Sequence, residues 1–109
     1  MGDKSNKVVL TGDMKYGEVK TLIASAWPRL PIIIYRPTVE HYKEGRPTAE
    51  DLELSTGDEL CGTPGREAVL HGGMTGQDLH NAVMRAFDLE TEITGVGIRG
   101  IWRTKLDET

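Results

Sequence analysis

The chain is poor in the residues that most often announce a function. Its 109 residues include a single cysteine, Cys61, so no intrachain disulfide can form and the expected compartment is a reducing cytoplasm. Aromatic residues make up 6%. None of them falls in the apolar runs Lys7–Thr11 and Glu67–His71, so these runs lack the stacking platforms that hold single-stranded RNA on a sheet. No apolar run approaches the roughly 18 residues of a membrane span; the longest, Leu30-Pro31-Ile32-Ile33-Ile34-Tyr35, has the length of a strand. The opening residues Met1–Asn6 are polar, which gives no secretory signal. Asn6 also stands where a myristoylation pattern needs Ser or Thr.

Positive charge is short as well. Thirteen Lys and Arg face 17 Asp and Glu, for a net charge of -4. The deficit is local: residues 37–66 hold seven acids (Glu40, Glu44, Glu50, Asp51, Glu53, Asp58, Glu59) against Lys43, Arg46 and Arg66, and the remainder balances at ten of each sign. Nonspecific nucleic-acid binding rests on phosphate neutralisation by Lys and Arg, so a nucleic-acid partner is not expected.

What the chain does contain is a repeat. Val9-Leu10-Thr11-Gly12-Asp13-Met14 returns 60 positions later as Val69-Leu70-His71-Gly72-Gly73-Met74. The correspondence continues through Val19 and Leu79, Ile23 and Val83, Ala26 and Ala86, and Trp27 and Phe87. A repeat of this kind sets the architecture before any other signal.

Each unit opens with an apolar run, Lys7–Thr11 or Glu67–His71, that reads as a strand. A glycine turn follows, Gly12-Asp13 or Gly72-Gly73. The period then changes to that of a helix: Val19, Leu22, Ile23 and Ala26 lie at i, i+3, i+4 and i+7, and Leu79, Ala82, Val83 and Ala86 repeat the spacing. Thr75 stands three residues before Asp78, the spacing of an N-terminal cap, and Pro28 stops the first helix. A second strand follows each helix, Ile32–Tyr35 in the first unit and about 93–103 in the second, where Gly95, Gly97 and Gly100 weaken it.

Two strand-helix-strand units predict an α+β fold, a ferredoxin-like four-stranded antiparallel sheet with two helices on one face. The expected single domain spans 1–109: repeat one at about 7–36, an acidic insertion at 37–66 and repeat two at about 67–103. A small hairpin is expected around Thr56-Gly57-Asp58. This layout, with its long central connection, is similar to that of the trimeric nitrogen-regulatory signalling proteins. The similarity implies an oligomer that senses a small ligand; no motif is shared, and fold alone does not carry function.

The second strand-to-helix turn is the best candidate for a ligand site. His71-Gly72-Gly73-Met74-Thr75-Gly76 presents glycine-rich backbone at a helix N-terminus, where anions are favoured. The first turn carries Asp13, which would repel a phosphate. The expected ligand-binding residues are therefore His71, Gly72, Gly73, Thr75 and Gly76, with Arg99 and Arg103 as cations close to a strand. Arg29 and Arg36 are further candidates for that basic cluster.

Other patterns carry less. Gly95-Val96-Gly97-Ile98-Arg99-Gly100 spells a dinucleotide fingerprint but precedes strand-like residues where a helix is required. His41, His71, His80 and Cys61 have no zinc-type spacing, so no metal and no cofactor is expected. No serine elbow, Cys-His pair or carboxylate pair is set for catalysis; His71 as a general base is the one enzymatic reading.

The expected function is a small non-enzymatic binding protein, a homo-oligomer holding an anionic small ligand such as a nucleotide. The alternative is a protein-protein interaction module or inhibitor acting through the acidic central segment.

Overall fold

A computed structural model describes residues 7–30, 32–36, 49–93 and 103–108. The elements run β1 (Lys7–Thr11), α1 (Tyr16–Ala26), β2 (Ile32–Tyr35), α2 (Ala49–Leu52), β3 (Glu67–His71), α3 (Gly76–Phe87), β4 (Glu90–Ile93) and a 3-10 turn at Leu106–Glu108. β1 pairs with β3 in antiparallel register, Val9 opposite Val69, and β2 pairs with β4, Ile34 opposite Thr91. The fold is therefore α+β, with two separate two-stranded ladders. One ferredoxin-like sheet would require the ladders to be joined, and no pairing among the described residues joins them. The last strand also starts earlier than expected, at Glu90. Residues 94–102, with the fingerprint and Arg99, lie outside the described residues.

The repeat is visible as a repeated core. Val8 and Ala68, Leu10 and Leu70, Val19 and Leu79, Ile23 and Val83, and Trp27 and Phe87 are all buried, pair by pair. Strand period 2 directs alternate residues of β1 and β3 inward, and helix period 3.6 aims one stripe of α1 and α3 at them. Thr75 caps α3 as its spacing predicts: its hydroxyl accepts from the Asp78 amide, and the Asp78 carboxylate accepts from the Thr75 amide. At the far end of α3, Asp88 takes a left-handed conformation (φ 59°) and donates its amide to the Met84 carbonyl.

The repeat extends further than the sequence shows. Each glycine turn is closed by a short segment from far along the chain. Leu60 donates its amide to the Met14 carbonyl at 3.0 Å, and Cys61 donates to the Gly12 carbonyl at 2.9 Å. In the second unit, Leu106 donates to the Met74 carbonyl at 2.7 Å and Asp107 to the Gly72 carbonyl at 3.2 Å. Leu60 and Leu106 are both fully buried. The expected hairpin around Thr56 is replaced by this arrangement. Its flanks bridge to other elements, Glu53 to Tyr35 and Glu59 to Lys15, rather than to each other. The later part of the acidic central segment thus packs onto the first unit.

These closures explain Gly12 and Gly72. A Cβ on Gly12 would strike the Thr63 carbonyl oxygen and the Cys61 sulfur, and a Cβ on Gly72 would strike the Asp107 carboxylate. Asp107 cannot simply swing aside, because it accepts a 2.7 Å hydrogen bond from the indole Nε1 of buried Trp27. Gly73, one residue on, meets only the His71 ring. Adjacent glycines should therefore respond oppositely. Gly72→Ala should cost about 2 kcal/mol, in the range of overpacked sites, while Gly73→Ala should stay within roughly 0.5 kcal/mol. Chemical denaturation of the two variants measures both.

Candidate functional site

The face formed by β3 and α3 carries three open hollows. The first lies between the end of β3 and the start of α3, lined by His71, Gly73, Met74, Asp78, Asn81, Ala82 and Arg85. The second, about 310 Å³, runs along β3 at Glu67, Ala68 and Val69, opposite Ala82, Arg85 and Ala86. The third lies at the other end, between Cys61, Thr63 and Arg66 and the last turn of α3. Arg85 lines all three. They form a furrow along one side of the helix, with a guanidinium at its middle.

The residues expected to bind a ligand divide on this face. His71 and Gly73 line the first hollow. Gly72 and Gly76 are buried, Gly72 beneath Asp107. Thr75 is engaged in the capping box. Its amide and that of Asp78 are both committed within the helix, as is that of Met74, which donates to the His71 carbonyl. The turn therefore spends these donors on its own structure, and an anion here would be met mainly by side chains. Arg103 is exposed and does not line any of the three hollows; Arg99 lies outside the described residues. Arg36 donates to the Leu60 carbonyl at 3.2 Å, which makes it part of the first closure.

Arg85, Asn81 and Arg66 are the polar members that sequence reading missed. A signal was present: Asp78, Asn81, Ala82 and Arg85 fall at i, i+3, i+4 and i+7, a stripe beside the core stripe of the same helix. Arg66 is held over the C-terminal end of α3, donating to the Ala86 carbonyl at 3.3 Å. His80 turns away from His71 and meets the Thr91 hydroxyl at 2.9 Å, linking α3 to β4. Among the described residues, no three His, Cys, Asp or Glu side chains converge as a metal site, and no helix is long and apolar enough to cross a membrane.

Comparison with protein-family models, with curated proteins and with solved structures finds no match.

Val9 and Val69, opposite each other on the outer side of the β1–β3 ladder, are 38% and 40% exposed, and Met84 on α3 is 41% exposed.

A separate polar cluster ties α1 to β2. The buried Tyr16 hydroxyl donates to Glu53 at 2.5 Å and accepts from the Ile34 amide at 3.1 Å, while Lys20 reaches the same Glu53 oxygen at 3.0 Å. Burial, reinforced by the Glu53 hydrogen bond, pushes the Tyr16 phenol well above its ordinary range, against the opposing Ile34 amide. Partial burial alone would raise Glu53, but the hydrogen bonds from Tyr16 and Lys20 outweigh it and hold the carboxyl below its ordinary value of 4.5. A carboxyl depressed in the native state stabilises fully above its unfolded value, and that stability is lost as pH falls through the native value. Glu53→Gln should therefore lose less melting temperature than the parent chain between about pH 6 and pH 3; equal acid dependence would show the cluster to be energetically idle.

Proposed function

We propose that this chain is a non-enzymatic binding module whose recognition surface is the furrow between β3 and α3. The observation that carries the reading is a strand edge whose Glu67 and Val69 backbone groups have no hydrogen-bond partner among the described residues, beside the helix face of Ala82, Arg85 and Ala86. The Gly12 amide donates to the Arg66 carbonyl directly opposite it at 2.9 Å. Bonded pairs alternate along an antiparallel ladder. The pairs Leu10–Ala68 and Val8–Leu70 therefore bond inward, and the backbone groups of Glu67, Val69 and His71 turn to the outer edge. The engagement of His71 with Met74, away from β1, agrees with this parity. Across the furrow stand the small side chains of Ala82 and Ala86, with Arg85 between them. Strand addition takes affinity from main-chain hydrogen bonds and specificity from alternate side chains.

Proline at 69 tests this reading, because it deletes an outward amide while sparing the bonds to β1. Extended peptides selected from a display library by the parent chain should lose binding at least tenfold to Val69→Pro, with far-UV circular dichroism unchanged. Undiminished binding would place recognition elsewhere, with the acidic central segment as the next surface to delete.

A second reading, an anionic small ligand such as a nucleotide, is favoured by the convergence of Arg85, Asn81 and His71 on the first hollow. It predicts calorimetric heat with nucleotides or inorganic phosphate that Arg85→Ala reduces by roughly tenfold or more, the scale of one charged hydrogen bond. No heat with either probe removes that reading.

A further inference from the structure

We propose that the segment added along β3 is an extended peptide with an acidic residue at its centre, an Asp or Glu set against Arg85. It is flanked by an apolar residue beside Val69 and a basic one beside Glu67. This rests on the strand-addition reading above and names the chemistry of its partner.

The stretch of edge open to pairing is short, and both its ends are marked. At one end the His71 amide donates to the Met74 sulfur at 3.3 Å, and the His71 carbonyl accepts from the Met74 amide at 3.0 Å. At the other end the Arg66 amide donates to the Thr63 carbonyl, and the Arg66 carbonyl accepts from the Gly12 amide. Glu67 and Val69 are left between these ends, with two amides and two carbonyls. An antiparallel segment places one residue opposite each of them and exchanges both bonds at each. A third residue lies between, opposite Ala68.

Strand alternation sends these three side chains to different faces. Ala68 is buried, whereas Glu67 and Val69 are exposed on the other face of the strand. The peptide residue opposite Ala68 therefore points to the helix side, into the hollow of about 310 Å³ bordered by Ala82, Arg85 and Ala86. Arg85 is the charged side chain that α3 contributes to this hollow. No carboxylate among the described residues forms an ion pair with it, and it is exposed, so its guanidinium can turn toward an arriving group. Asp78, in the neighbouring hollow, is held by the Thr75 amide. A carboxylate is the side chain that matches a guanidinium with two parallel hydrogen bonds.

The flanking choices follow from the outer face. Glu67 also borders the hollow, but strand alternation sets its side chain beside the peptide residue opposite it. Opposite charges stabilise such a cross-strand pair and like charges oppose it, which selects Lys or Arg there. The residue opposite Val69 extends the row that Val9 and Val69 already form, an apolar place.

The experiment selects extended peptides from a display library with the full parent chain and with Arg85→Glu. Calorimetry follows on the best parent-selected peptide and on its analogue with the central acid changed to its amide. The parent should select an acid between an apolar and a basic residue, and Arg85→Glu should select Lys or Arg at the centre instead. The amide analogue should bind the parent about fivefold more weakly, the scale of a partly exposed ion pair. It should bind Arg85→Ala as well as the acidic peptide does, because the two changes remove the same interaction. Arg85 is exposed, so these variants keep the core intact, and far-UV circular dichroism checks it. Selected peptides without a central acid, or an equal loss in the Arg85→Ala chain, overturn the acidic assignment. If such peptides still lose binding to Val69→Pro, the strand-addition reading stands without it. Acidic peptides indifferent to Val69→Pro overturn both, since the acid is then held without strand pairing, and so does the selection of no peptide at all.

Discussion

The fold depends on distant segments of the chain packing where a side chain would ordinarily stand. At Gly12 and again at Gly72 a distant segment crosses the turn so closely that no Cβ fits beneath it. The crossing segments deliver Leu60 and Leu106 to the core and cover the carbonyls that the turns would otherwise leave open. Without those two crossings the core would lose Leu60 and Leu106, both fully buried. Buried backbone groups need partners, and here the partners come from 46 and 32 residues beyond Met14 and Met74 respectively.

The core was legible in the sequence because it is written in periodicity. The buried pairs separated by 60 positions are those the repeat aligned, and the helix stripes 19/22/23/26 and 79/82/83/86 face inward except at Leu22, which is half-exposed. The closures were not legible. A segment such as Glu59-Leu60-Cys61 has no period, and its partner is fixed only by three-dimensional proximity. The second closure is offset by 46 positions where the rest of the repeat is offset by 60, so the two cannot be aligned as one block. The pairing of β2 with β4 was equally hidden, since short apolar strands do not name their neighbours.

The candidate site was half visible for a related reason. Glycines at a strand-to-helix turn suggest an anion cradle, but the same letters serve a close crossing. Only the position of Asp107 distinguishes the two at Gly72. Arg85 carried the opposite difficulty. As one arginine among several on an exposed helix face it has no local signature, and its importance comes from lying between hollows that β3 creates.

The hydrogen bond from Trp27 to Asp107 joins residues 80 apart in the chain, the widest separation of any such bond described. Contacts of that span require most of the chain to be in place before they can form. The link therefore works as a latch on a finished structure rather than as a guide to folding. Weakening a contact that forms late speeds unfolding more than it slows folding. On that reading the Leu106–Glu108 turn bears on the lifetime of the native state more than on the ease of reaching it.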